Sequence, residues 1–372
     1  MTADTFSAPN PVAGLVAPAF IYLLLLLLHL LLPAKCVDGY VKNPHTSKPY
    51  RYRINGLWVT LAALALWALV GAFDLIAWEW LYINRWWCLT GACITGLLYT
   101  FWVVLPAPST DRGLFVDLFL GRLENVQYLH GRVDAKMFLY LAGAAMLVLN
   151  GWSYCAYHLI AFGSEYNPGI VLHAALLTFF VFDYMVFERV HLYTYDLFAE
   201  RVGFKLGWGC LLFYPFFYPV GLWGTAHLPT PDIIDRAGMP WLCLATAIFL
   251  SGWLTARGAN MQKYCFKRWP NRRFLGLLTP EVIGQGEATL LTSGFWGVAR
   301  HINYLGEILM ALGIALALGH LDNPWPWLYP FYYLALLVPR ERDDDARCQA
   351  KYGALWTEYR KQVPARIIPR IY

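Results

Sequence analysis

The chain has 372 residues, of which 58% are hydrophobic, 17% aromatic and only 14% charged, whereas an ordinary soluble domain carries about 25% charged residues. That balance argues against a soluble enzyme, and a net charge of +5 dispersed over loops between apolar runs lacks the concentrated basic face of a nucleic-acid binder. The eight cysteines contain no C-x-x-C pair and the nine histidines are scattered, so zinc ribbons, haem attachment, a metal cluster and a disulfide framework all lack their spacing.

A helix that crosses a bilayer needs roughly 20 apolar residues. The first such run, 11–33, is too long for a signal-peptide core and has no basic segment before it, so it is expected to remain as a spanning helix. Further spanning helices are predicted at 56–80, 85–106, 138–162, 168–187, 203–223 and 238–257. Shorter apolar stretches at 305–319 and 325–338 flank the turn-forming run His320-Leu321-Asp322-Asn323-Pro324, and a weaker run lies at 288–299. These predict a hairpin of short or re-entrant helices. The expected fold is an all-α polytopic membrane protein of about nine to ten transmembrane helices. It forms one membrane domain over 1–372, divided into an N-terminal bundle, 1–257, and a C-terminal part, 258–372.

Lys and Arg concentrate in 34–55, 107–137, 188–202, 257–273 and 339–372. With seven helices and a hairpin these segments fall on one side, which the positive-inside bias makes cytosolic. The N-terminus is then outside and the polar tail inside. No internal repeat of the transporter kind is visible.

The polar residues of the C-terminal third form two dense stretches, LLTSGFWGVARHINYLGEILMALG from Leu290 to Gly313 and VPRERDDDARCQAKYGALWTEYRKQVPARIIPRIY from Val338. Such charge beside membrane helices suits an anionic ligand with a planar ring, since Arg and Lys bind phosphate, an aromatic face stacks, and carboxylates or amides hold polar edges. Lys263 and Lys267 share one helix face, and Arg340 with Asp344 repeats that spacing. The run from Lys267 to Arg273 reads equally well as a basic loop touching lipid headgroups. Asp183 and Glu188 close the fifth predicted helix, and ionisable groups so placed are candidates for function as well as plain helix-end residues. Asp74 reads as interfacial.

The run SGFWGVARHINYLGE from Ser293 to Glu307, with the tail D-x-x-x-x-C-x-x-K-Y-G-x-x-W-x-x-Y-x-x-x-V-P-x-R-I-I-P-x-I-Y, closely resembles the sterol reductases. This family includes delta-14 and delta-7 sterol reductases and the membrane half of the lamin B receptor. Ala259-Asn260-Met261-Gln262-Lys263, GFKLGWG at 203–209, and YRINGL at 52–57 extend the resemblance over about 35–372. It implies an NADPH pocket facing the cytosol, with Lys263 and Lys267 at the phosphates, Leu291, Trp296 and Asn303 around the rings, and Arg340, Asp344 and Tyr352 completing it. Tyr359 falls where the family places a tyrosine at the reaction centre, and Asp183 and Glu188, with Tyr184 nearby, match acidic positions read as a proton relay. Purely structural roles stand beside these: Trp296 as an interfacial anchor, Asn303 as a helix cap, Tyr352 and Tyr359 as packing residues.

The chain departs from the family's pattern at Leu123-Glu124-Asn125-Val126-Gln127, at Cys210 after Gly209, and at Tyr218-Pro219-Val220-Gly221. These changes leave open which double bond is reduced: delta-14 is the first expectation, delta-7 the second, with delta-24 also open. The implied chemistry is protonation of an unpolarised alkene followed by hydride transfer from NADPH. The substrate is a sterol within the bilayer, in the endoplasmic reticulum of a eukaryote or the inner membrane of a bacterium. Two other readings are an S-adenosylmethionine-dependent methyltransferase of the isoprenylcysteine type, against which Asp343, Asp344 and Asp345 replace paired glutamates, and a non-catalytic sterol-binding scaffold.

Overall fold

A computed structural model describes residues 6, 8–44, 46–286 and 288–372. The chain divides into two compact units, Met1–Pro231 and Asp232–Tyr372.

In the first unit, helix α1 (Pro11–Leu31) begins where Asn10 accepts from the Ala13 amide and Pro11 supplies a preset backbone angle. Helices α2 (Gly56–Ala72), α3 (Arg85–Val104), α4 (Ala135–Phe162) and α5 (Pro168–Val186) follow. Asp134 caps α4 and Asn167 caps α5. The post of this unit is α4, largely buried along its length, whereas α1 leaves Val12, Val16, Phe20, Leu23, Leu27 and Leu31 exposed. A Cβ on Gly91 would collide with the Leu15 carbonyl, so a small residue lets α1 and α3 approach to backbone contact.

Three expectations for this unit are corrected. The helix expected over 56–80 stops at Ala72, where Asp74 adopts φ 53° and turns the chain. The segment 203–223 is helical but not uniform. Phe204–Trp208, a π turn over Gly209–Phe213 and Tyr214–Phe217 follow one another in continuous helical geometry, the π turn lying just before Pro215, and the chain is interrupted at Pro219 before Val220–Thr225, because proline has no amide hydrogen to continue the ladder. The basic loop at 34–55 contains an antiparallel hairpin, β1 (Lys35–Lys42) with β2 (Pro49–Ile54), and a minimal pair, β3 (Gln127–Tyr128) with β4 (Val133–Asp134), lies further on.

The second unit opens with α6 (Asp232–Arg268), 37 residues bent at Gly238, two positions before Pro240. It runs well past its apolar stretch, so Lys263 and Lys267 are helical. Helix α7 (Ile302–Ala317) lies against it through Gly306, whose Cβ would come within 2.5 Å of the Ala256 amide and 2.6 Å of the Gly252 carbonyl. The expected short helix at 325–338 is instead the first half of α8 (Pro324–Tyr352), which carries Arg340, Asp344 and Tyr352 on one rod before α9 (Ala354–Gln362). The run 288–299 is not a helix: β5 (Val282–Gln285) pairs with β6 (Ala288–Leu291), and a single turn spans Phe295–Val298. Glycines at positive φ, Gly284, Gly286 and Gly294, set those bends where a helix would need φ below zero.

By length and composition α1, α3, α4, α5 and α6 can cross a membrane, and α2 and α7 are shorter apolar helices.

Candidate functional site

In the second unit, α6 presents Lys263 with its ammonium 5.5 Å from the ring centre of Trp296. The indole is held from behind, since Nε1 donates to the Ala259 carbonyl over 2.9 Å. Gln262, buried on α6, fixes the approach to the indole: its amide nitrogen donates to the Ser293 carbonyl and its oxygen accepts from the Phe295 amide, at 3.1 and 3.0 Å. Gly294, at φ 62°, passes so close that a Cβ would strike that same amide. The hydroxyl of Tyr359, on α9, donates to the Trp296 carbonyl over 2.9 Å. Lys263, Trp296 and Tyr359 therefore meet around one short turn.

The α7–α8 side adds charge. Tyr304 donates to Oδ2 of Asp344 over 3.0 Å and stacks on His301 with ring centres 5.0 Å apart. Burial pushes the Asp344 carboxyl above its usual value, opposed by the Tyr304 hydrogen bond and by the Arg340 and Lys263 charges. Burial, helped by the charges of Lys263 and Arg300, pushes the His301 imidazole down to about 3, so it is neutral near pH 7. Burial raises the Tyr359 phenol, which keeps its proton. Oδ1 of Asn303, buried in the first turn of α7, has no hydrogen-bond partner among the described residues, a cost usually met by a ligand or water.

The remaining sequence candidates lie around this cluster. Lys267 is exposed, one turn beyond Lys263 on α6. Leu291 is buried at the end of β6, opposite Val282. Tyr352 ends α8, carries Lys351 over its ring at 5.0 Å, and packs with Trp356, Tyr359 and Val363.

Below the cluster the last segment of the chain is tied in through its backbone. The amides of Arg300 and His301 donate to the carbonyls of Ala365 and Arg366. Glu341, fully buried, accepts from Arg366 at 3.0 Å and lies 4.0 Å from Nε2 of His301. Sequence reasoning gave no role to Gln262, His301, Tyr304 or Glu341. Gln262 lies in the quoted segment 259–263, and His301 and Tyr304 stand three apart in the quoted run, a spacing that puts them on one helix face; nothing in the sequence marked Glu341 apart from its neighbours.

In the first unit, Glu188 is only 3% exposed and its Oε2 accepts from the Gly56 amide over 3.1 Å, capping the start of α2. Burial raises its carboxyl to about 7 against that hydrogen bond. Asp183 lies on the last turn of α5, its carbonyl accepting from the Phe187 amide. Tyr184 stacks on His191 with ring centres 3.8 Å apart.

The model of the Ergosterol biosynthesis ERG4/ERG24 family matches residues 11–372. The chain belongs to that family. Within the ERG4/ERG24 family it is similar to Delta(14)-sterol reductase of Arabidopsis thaliana, 31% identical over 92% of this chain and 91% of the relative. It is 34% identical to Delta(14)-sterol reductase of Methylotuvimicrobium alcaliphilum over 91% of this chain and 79% of the relative. Delta(14)-sterol reductase TM7SF2 of Mus musculus is 35% identical, over 76% and 67% of the two chains. The family match takes in both units, and so both the Lys263–Trp296 cluster and the Glu188 cap.

Proposed function

We propose that this chain reduces a carbon-carbon double bond of a membrane-dissolved sterol with NADPH, the delta-14 bond first and delta-7 next. The observation that carries this reading is the likeness, over nine-tenths of the chain, to relatives named Delta(14)-sterol reductase. The second unit supports the cofactor. A phosphate needs cations, a planar ring needs a face, and amide or ribose edges need fixed polar atoms. Lys263 beside Trp296, Asp344 and the unpartnered oxygen of Asn303 supply these types together. In this reading Lys263 and Lys267 bind phosphate, Leu291, Trp296 and Asn303 line the rings, and Arg340, Asp344 and Tyr352 complete the set. When bound, NADPH supplies the hydride.

The chain's own residues supply the rest. A sterol alkene carries no polarising carbonyl, so an acid must give it a proton, and a useful acid at neutral pH is a carboxyl raised by burial. Glu188 has that property and, with Asp183, is the proposed acid of the first unit, while Tyr359 is the proposed catalytic tyrosine of the second. Tyr359 also holds the Trp296 carbonyl in place. The protein is read as a multi-pass membrane protein whose basic segments face the cytosol.

Detergent-purified protein incubated with NADPH and a mixture of delta-14, delta-7 and delta-24 sterols, followed by mass spectrometry, tests the reading. Loss of one double bond that Arg340→Gln abolishes supports it; NADPH binding with no product from any sterol overturns it.

A further inference from the structure

We propose that the segment between α6 and β5 is a hydrophobic finger that enters the headgroup region of an anionic membrane leaflet. After α6 ends at Arg268, the chain closes a tight turn in which Phe274 and Leu278 exchange backbone hydrogen bonds of 2.9 and 3.0 Å. Phe274 is buried as the base of the turn, while Leu275 and Leu277 project from it, 76% and 80% exposed. Leu275 sits at φ 53° ahead of Gly276 at φ 72°. A bulky residue held in the left-handed region is uncommon and points to a requirement on where its side chain goes.

The base of the finger is cationic. Lys267, Arg268, Arg272 and Arg273 are all exposed, and no acidic residue occurs between Lys263 and Glu281. Arg268 and Arg272 lie over the exposed ring of Trp269, at 5.4 and 5.9 Å from its ring centres. Apolar side chains at a tip, a tryptophan at the collar and cations around it match the layering of a leaflet: acyl chains, interface, anionic headgroups. A loop meant for water would not carry two outward leucines, and a nucleotide would have no use for them.

The test uses full-length protein in vesicles of phosphatidylcholine and phosphatidylglycerol in equal parts. The five cysteines that are not buried, Cys36, Cys93, Cys243, Cys265 and Cys348, are replaced by serine, and a nitroxide is attached at Leu277→Cys. A nitroxide on Cys243, restored in the same background, establishes that the protein has inserted. The expected result is that the 277 label is relaxed by oxygen in preference to an aqueous nickel chelate, and that Arg272→Gln with Arg273→Gln removes the preference. Relaxation mainly by the nickel chelate, as for a solvated loop, overturns the proposal. So does a label that neither reagent reaches, which would place the finger in a protein contact. Neither result depends on sterol turnover.

Discussion

Tyr304 donates to Asp344 across 3.0 Å, joining α7 to α8 beside Lys263. Burial raises the Asp344 carboxyl and this hydrogen bond opposes the rise, so the phenol helps keep Asp344 ionised. Tyr304→Phe is expected to weaken NADPH binding about tenfold, the size of one hydrogen bond to a charged group. The acid limb of the binding profile moves to higher pH, because Asp344 then protonates earlier as pH falls. NADPH affinity measured against pH in wild type and variant checks both; an unchanged limb contradicts the assignment.

Glu188 gives a different pH signature. Its folded value, about 7, is above the ordinary 4.5, so its contribution to stability is complete below about 4.5 and is lost as pH rises through about 7. The total is on the order of 3 kcal/mol. Glu188→Gln keeps an oxygen for the Gly56 amide and cannot ionise. The variant is expected to gain thermal stability relative to wild type from pH 5 to pH 8 while losing sterol turnover. Melting curves in detergent at those two pH values, set beside the activity, are the check.

Gly56 is enclosed by the Glu188 carboxyl and the Met185 sulfur, both of which a Cβ would overlap. Gly56→Ala should destabilise the first unit by about 1–3 kcal/mol, as overpacking does, and read out as a lower melting temperature with no change in NADPH affinity. A parallel fall in NADPH affinity would show the cofactor depends on the first unit.

Gln262 makes two hydrogen bonds that hold the turn carrying Trp296. Gln262→Ala is expected to raise the KM for NADPH severalfold with little change in the KM for sterol, since each bond contributes about 1 kcal/mol. Steady-state kinetics with each substrate varied separately distinguishes this from general unfolding, which lowers kcat for both.

The long apolar helices were legible because a run of hydrophobic residues has few other solutions in a bilayer: α1, α3, α4 and α5 begin and end within a few residues of the predicted bounds. Proline and glycine defeated the rest. Pro219 divided an apolar run that composition read as one helix, whereas Pro330 and Pro339 failed to stop α8. The same residue type breaks a helix or rides within it according to what packs around it, and packing is not written locally. For the site, Lys263, Trp296, Asp344 and Tyr359 were legible through the family motif, whereas Gln262 stood in that motif without a role and Glu341 was not marked at all. Their importance comes from partners distant in the chain, Phe295 for one and Arg366 for the other.

The central claim is tested most directly by incubating the purified protein with a delta-14 sterol and NADPH deuterated at C4 of the nicotinamide. The account predicts a saturated product carrying a single deuterium from the cofactor and a proton from water at the neighbouring carbon. Unchanged sterol, or a saturated product without deuterium, would contradict it.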